Sequence, residues 1–283
     1  MTSSTTNSST ADRSAVHRSP LDAYAAPKKE IPRSVYLTVS ATVGISVLLL
    51  WCLLSYGGFV RSDFLPTPVE VLRAGVDGIQ DGSLAVNTAA SVGEIMSGFI
   101  LASILAVPLG ILMGSFKIAE AAIEPVTNFI RYLPVSALIP LLILWVGIGI
   151  EEKVTVIFIG TLFQQLILVA DVSRNVSSDL LDVSYTLGAN RRTVVTRVLI
   201  PATLPGVVDT LRVTLGWAWT YLVIAEFVAA NKGLGYFILN SERGLFTDRI
   251  FLGIAVIGLL GLITDQLFKL LRDWLLPWAT ESR

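Results

Sequence analysis

Residues 182–201 read Asp-Val-Ser-Tyr-Thr-Leu-Gly-Ala-Asn-Arg-Arg-Thr-Val-Val-Thr-Arg-Val-Leu-Ile-Pro, a polar, arginine-bearing stretch between two long apolar runs. Across 175–201 the pattern predicts two short helices around a glycine. Ser177 or Ser178 can cap the first, which carries Leu180, Leu181, Tyr185 and Leu187, and Gly188 supplies the positive φ that ends it. Asn190 can cap the second, rich in Arg and Val, which is expected to stop before Pro201. Apolar side chains on so short a hairpin are expected to be buried against something, either the chain's own inner membrane face or a groove on a partner.

The surroundings are those of a membrane protein. Of 283 residues 53% are hydrophobic and 15% charged, where a soluble protein carries about 25% charge. No basic block interleaved with aromatics points to nucleic acid. Cys52, the single cysteine, cannot form an intrachain disulfide, and His17, the single histidine, sits in a polar tail. A metal site or a Cys/His nucleophile pair is therefore not expected, and any catalysis would rest on carboxylates alone.

Residues 1–33 are rich in Ser, Thr and Ala and carry Arg13, Arg18, Lys28, Lys29 and Arg33. They cannot bury enough apolar surface to fold and read as a disordered cytoplasmic arm. No short apolar core with a small-residue cleavage site follows, so the arm is not a signal peptide. Residues 34–277 read as the membrane domain, with 172–204 as its polar loop, and 278–283 as a cytoplasmic tail.

A membrane helix needs about 20 apolar residues. Six candidates are present, near 35–56, 92–114, 134–150, 153–171, 205–230 and 250–271, giving an all-α fold of six spans. The third and fourth are separated by a tight turn at 147–153, and 118–133 reads as a less hydrophobic helix running along or obliquely into the membrane. With the N-terminus inside, thirteen Lys and Arg lie on the cytoplasmic side against six outside, with Arg131 and Arg212 near membrane level. That bias favours both termini inside and places 182–201 in the cytoplasm.

Two outer segments carry local signals. Thr67-Pro68-Val69-Glu70 is a capping box with Pro at the first helical position. Val69, Leu72, Val76 and Ile79 then recur at helical spacing up to Gly82, an amphipathic helix on the outer surface that covers the bundle or grips a substrate. Residues 231–249, with Gly233, Gly235 and Gly244, predict a short helix between spans five and six. No internal repeat supports an inverted-repeat carrier.

The loop resembles that of permeases from binding-protein-dependent ABC importers, which carry Glu-Ala-Ala, three residues, Gly, nine residues, then Ile-x-Leu-Pro. Here Asp182, Val183 and Ser184 stand at the first three places, Gly188 matches, and Val198, Ile200 and Pro201 fall at the last. Asp for Glu and Val-Ser for Ala-Ala are departures that keep an acid and small-to-medium side chains. The resemblance runs on through Phe64-Leu65-Pro66-Thr67-Pro68, Arg131-Tyr132-Leu133-Pro134 with Ile139-Pro140, and Trp145-Val146-Gly147-Ile148-Gly149. Leu211-Arg212, Gly216-Trp217-Ala218-Trp219, Ala225-Glu226 and Gly233-Leu234-Gly235 continue it. Over about 59–277 the pattern is similar to the nitrate, sulfonate, taurine and bicarbonate branch.

The resemblance implies a type I importer permease in the bacterial inner membrane, a homodimer with two ATP-binding subunits below and a soluble periplasmic or lipid-anchored binding protein above. Leu181, Asp182, Ser184, Tyr185, Leu187, Gly188 and Pro201 would couple it to the ATPase. ATP and Mg would sit on the partner; no cofactor is expected here, and the chain has no Gly-x4-Gly-Lys-Ser/Thr loop. The implied cycle is alternating access.

Charged groups at bilayer depth are costly unless partnered. Glu226, Asp265 and Arg131 stand out, and Arg212 can pair with Asp209 or Asp265. Glu226 resembles an acid of this branch whatever the cargo, which points to an interhelix bond or gate. Ser136, Thr161, Gln164, Gln165, Trp217, Trp219 and Thr220 can line a pathway, or serve as packing between helices. A neutral or cationic heterocycle such as a thiamine precursor or riboflavin stays open as cargo. So does a stand-alone carrier or channel, whereas the lack of Cys/His chemistry and of an acid pair on one span speaks against an intramembrane enzyme.

Overall fold

The computed structural model describes residues 31–279, and all regular structure among them is helical. The expected arm up to residue 30 and the tail beyond 279 lie outside the described residues. The chain falls into two units, divided after Leu54. The first holds nearly all of α1 (Arg33–Tyr56), a helix apolar on every side. Thr38, Thr42 and Ser46 each return a hydroxyl to the carbonyl one turn back, so its few polar groups are satisfied within the helix.

The second unit begins with α2 (Pro68–Gln80), whose capping box forms as the sequence predicts: Glu70 N–H donates to Thr67 Oγ1 and Thr67 N–H to Glu70 Oε2. The stripe that packs is not the one picked out by hydrophobicity. Val71, Ala74, Gly75 and Gly78 face the bundle, whereas Val69, Leu72, Val76 and Ile79 are exposed. The small residues let α2 lie close to its neighbours, Gly75 against Leu252 and Gly78 against Leu84.

The centre of the unit is α3 (Ser83–Ser115), 33 residues and so about 50 Å long, packed along α6 (Ile150–Arg174) and against α9 (Ile200–Ala229). Small residues recur every fourth position on α3: Gly98, Ala102, Ala106, Gly110 and Gly114. A Cβ added at Gly98 would lie 2.7 Å from Ile157 Cβ, and one at Gly110 2.7 Å from Val169 Cβ. This stripe therefore sets the distance between the two spans, as small residues do where no hydrophobic effect draws helices together. Ile95 and Phe99 of α3, Ile157 of α6, and Leu215, Ala218 and Leu222 of α9 form the main apolar cluster. Phe268 joins it edge-on to Phe99, with ring centroids 6.4 Å apart, bringing in α11 (Thr247–Leu275).

The expected third span at 134–150 takes a different form. α4 (Lys117–Ile130) and α5 (Val135–Val146) meet at 94°. Pro134 forces the break: it has no N–H to continue the ladder and excludes helical backbone from Leu133 before it, itself adopting φ −66°, ψ 117°. α5 alone is 12 residues, too short to cross a bilayer. The turn after it is also shorter than read from the sequence. Gly147 and Gly149, at φ 93° and 154°, end α5 and admit α6 at Ile150, so Glu151, Glu152 and Lys153 form the first turn of α6.

Between α6 and α9 lie α7 (Ser178–Thr186), α8 (Arg191–Thr193) and a π-helical turn over Val194–Leu199. The second loop helix does not stop before Pro201, contrary to the sequence reading: it runs through the π turn into α9, continuous over Arg191–Val228. Ile200 N–H bonds to Val195 O, five residues back, and this widening makes room for a proline that would otherwise crowd the carbonyl four residues before it. α10 (Leu234–Arg243) is the short helix expected between spans five and six. In all, α1, α3, α6, α11 and the long helix ending in α9 are each long and apolar enough to cross a membrane, and α4 with α5 makes a sixth crossing if the bent pair is one broken span.

Candidate functional site

The loop hairpin closes by local rules. At the end of α7, Gly188 N–H donates to Tyr185 O at 2.9 Å and Ala189 N–H to Ser184 O at 3.0 Å, the paired bonds of a Schellman ending, with Gly188 at φ 84°. Asn190 Oδ1 then accepts Thr193 N–H at 2.9 Å and caps α8. Ser177 stands at the start of α7, but its side chain makes no capping bond. Of the expected docking residues, Leu187 is 81% exposed, and Leu180, Val183 and Tyr185 are exposed beside it. Leu181 is half-buried and turns inward, where with Tyr185 it lines a cleft shared with Phe116 and Arg191. Asp182 is exposed, while Ser184 returns its hydroxyl to Leu180 O. Arg191 stacks 5.1 Å from the Phe116 ring, and Arg174, at the end of α6, pairs with Glu120 of α4 at 3.0 Å. Arg191 thus rests the base of the hairpin on the junction of α3 and α4, and Leu187 at its tip is exposed.

At the other end of the unit, Glu226 is fully buried. Its Oε1 accepts from Ser91 Oγ at 2.6 Å and its Oε2 from Gly235 N–H. Ser91 Oγ also accepts Leu234 N–H at 2.8 Å, and Asn87 Oδ1 accepts Gly233 N–H at 2.9 Å. Three side chains from α3 and α9 therefore cap the N-terminus of α10, where an acid also meets the positive end of the helix dipole. Glycine is required here because a Cβ at Gly233 or Gly235 would strike the Glu226 carboxylate.

A fully buried ion pair is among those that escaped the sequence reading. Glu94 of α3 and Lys153 of α6 pair at 2.7 Å with both side chains buried. Glu152 is buried beside them. Lys153 stands in the first turn of α6 rather than in the turn before it, and a sequence separation of 59 from Glu94 gave no local signal. Toward the loop end, Arg212 pairs with Asp265, which also binds Lys269 at 2.8 Å, and Arg272 takes Asp209 at 3.1 Å. α9 and α11 are joined by these charges.

The pathway candidates separate. Ser136 and Gln164 line a common cavity of 320 Å³ at the bend between α4 and α5, together with Arg131, Tyr132 and Tyr221. Gln165 is buried away from it, donating to Thr214 Oγ1 at 3.3 Å. Thr220 lines an apolar groove against α10 and α11, Trp217 is exposed outside the cavity, Thr161 bonds its own helix, and Trp219 is core. Tyr221 lines this cavity although the sequence did not suggest it; it lies one helical turn from Trp217.

The family model described as binding-protein-dependent transport system inner membrane component matches residues 106–277. A probable ABC transporter permease protein of Brucella abortus is 36% identical over 232 residues, 82% of this chain and 92% of the relative. The taurine transport system permease protein TauC of Escherichia coli K12 is 30% identical over 255 residues, 88% of this chain and 93% of its own. The formylaminopyrimidine transport permease protein ThiX of Halalkalibacterium halodurans is 29% identical over 218 residues, covering 77% and 87%. A chain from an inward-facing structure of the methionine ABC transporter MetNI superposes with a TM-score of 0.55 over 65% of this chain and 93% of that one, at 20% identity, a likeness of fold.

Proposed function

The chain belongs to the binding-protein-dependent transport system inner membrane components, and from that premise we propose that two copies of it form the pathway of an ATP-driven importer for a small anion of the sulfonate/taurine, nitrate or bicarbonate class. As a permease of this family it is a membrane subunit, and ATP hydrolysis is assigned to two separate ATP-binding subunits. A soluble or lipid-anchored binding protein delivers the cargo. The charge bias puts both termini and the hairpin on the cytoplasmic side.

The observation that carries the coupling half of this reading is the hairpin at Gly188. It presents Leu180, Val183 and Leu187 outward, with Arg191 at its base stacked on Phe116 between α3 and α4. Such a tip fits a groove on an ATPase, with Asp182 at its rim. Because α8 continues unbroken through Pro201 into α9, a displacement of the hairpin moves a span as a lever. Closure of the ATPase dimer on ATP would tilt α9 and the bundle outward, and hydrolysis would return them. Ser136 and Gln164 then line the path, while Gln165, Trp217, Thr220 and Glu226 act as packing or gate around it.

The anion reading draws on the taurine relative. The formylaminopyrimidine relative favours a second cargo class, a neutral or cationic heterocycle. ATP-dependent uptake by the permease, ATPase and binding protein reconstituted in proteoliposomes separates these, with taurine, nitrate, bicarbonate and formylaminopyrimidine offered in parallel. Uptake of the pyrimidine alone would replace the anion reading. Transport by the permease without its ATPase would make it a stand-alone carrier and overturn both.

A further inference from the structure

The cavity at the bend between α4 and α5 holds an uncompensated cation. Arg131 is the only charged residue lining its 320 Å³, and among the described residues it makes no ion pair. One Nη donates to Tyr132 Oη at 3.0 Å and the guanidinium lies 4.7 Å from that ring. Its Nε is buried with no hydrogen-bond partner. A guanidinium has five N–H donors, and a single side-chain bond uses little of that capacity.

We propose that this cavity is a transit site for a small oxyanion, which supplies Arg131 with the counter-ion that the protein itself does not. The proposal rests on the chain being an importer of small anions and names the place where the cargo pauses. A charged side chain at a break between membrane helices is expensive unless partnered, and a passing anion supplies the partner. Ser136, Gln164 and Tyr221 add neutral hydroxyl and amide donors around the same space. No side chain caps the N-terminus of α5, and Val135 and Ser136 of its first turn line the cavity, where the positive end of the helix favours an anion. The volume lies at the small end of the range of about 300–1,000 Å³ for small-molecule sites. With one cation and otherwise neutral donors the site can be entered and left, as conduction requires.

The test uses a single cysteine at the site and does not depend on knowing the cargo. Cys52→Ala with Ser136→Cys is prepared in the full permease–ATPase complex and reacted with two methanethiosulfonates, one bearing an anionic sulfonatoethyl group and one a cationic trimethylammonioethyl group. The anionic reagent is expected to react faster, with Arg131→Gln lowering the anionic-to-cationic rate ratio by about tenfold and Arg131→Lys preserving most of it. An unchanged ratio in Arg131→Gln overturns the proposal, and so does the absence of reaction with either reagent, with or without ATP. If no anion is taken up in proteoliposomes yet the ratio falls, the cargo reading fails and the anion site stands. If anions are taken up but the ratio is unaltered, the site alone fails.

Discussion

Ser91 on α3 donates its hydroxyl to Glu226 on α9 at 2.6 Å, and the same oxygen accepts Leu234 N–H of α10 at 2.8 Å. One hydroxyl thereby joins two long helices and the start of α10. Ser91→Ala would leave a buried N–H and a carboxylate oxygen each without its partner, at a cost of about 1–3 kcal/mol. The purified permease should show a lowered melting temperature in detergent, and an unshifted melt would mean that water replaces the hydroxyl.

Glu226 itself separates stability from transport. In Glu226→Gln one acceptor oxygen remains for two donors, and the amide NH2 is turned against either Ser91 or the Gly235 N–H. Assembly with the ATPase should survive while uptake falls. Normal uptake would reduce Glu226 to a packing residue.

The α3 stripe gives a paired test on glycine. Gly110→Ala puts a Cβ 2.7 Å from Val169 Cβ, whereas Gly216, also in a helix, has nothing within 4 Å of the same position. Overpacking should cost Gly110→Ala about 1–3 kcal/mol, while Gly216→Ala should be neutral or stabilising by up to about 1 kcal/mol. Gly110→Ala should melt below the parent protein and Gly216→Ala at or above it, and equal shifts would show that the α3–α6 approach is not set by side-chain volume.

What could be read from the sequence was what short-range chemistry decides. The Schellman ending at Gly188, the Asn190 cap and the Thr67–Glu70 box each depend on residues within five positions, and each forms. The apolar stripe of α2 was visible, but periodicity does not say which face packs when lipid or a partner can take the apolar side, and the Val71–Gly78 face won through its small residues. The break before Pro134 was legible as the end of an oblique helix over 118–133, but not that the helix after it stops at Val146, too short to cross by itself. Pro201 misled in the opposite direction: a π turn, invisible to a pattern of 3.6, lets the helix pass it. The cavity at Arg131 brings residues of α4, α5, α6 and α9 together, a juxtaposition that tertiary packing alone creates. The every-fourth small residues from Gly98 to Gly114 were in plain view and would have placed α3 against a neighbour.

The Glu94–Lys153 pair makes a prediction about buried charge. Lys153→Met removes the ammonium from a site that also holds Glu152 with both carboxylate oxygens buried and without hydrogen-bond partners. Breaking such a pair from one side costs about 3–5 kcal/mol, whereas apolar replacement of both members is often close to neutral. Lys153→Met should therefore express poorly or melt early, and Glu94→Leu with Lys153→Met should recover much of the loss. A double variant no better than the single would show that Lys153 is held chiefly for Glu152.

Gly188 tests the coupling itself. Its φ of 84° suits glycine, while a Cβ there would meet nothing within 4 Å, so substitution strains the backbone without a clash. An ordinary L-residue in left-handed backbone costs about 1–2 kcal/mol, and Asn tolerates it better than most. Gly188→Val should unwind the Schellman ending, swing Leu187 away from Val183 and abolish ATPase co-purification while the permease still inserts in the membrane. Gly188→Asn should retain much of the assembly. The hairpin is exposed and its strain local, so the melting temperature of the membrane core should be the same in both variants. Full co-purification of Gly188→Val would mean that the ATPase grips another surface, and loss in Gly188→Asn equal to that in Gly188→Val would assign the effect to the added side chain instead of the backbone angle.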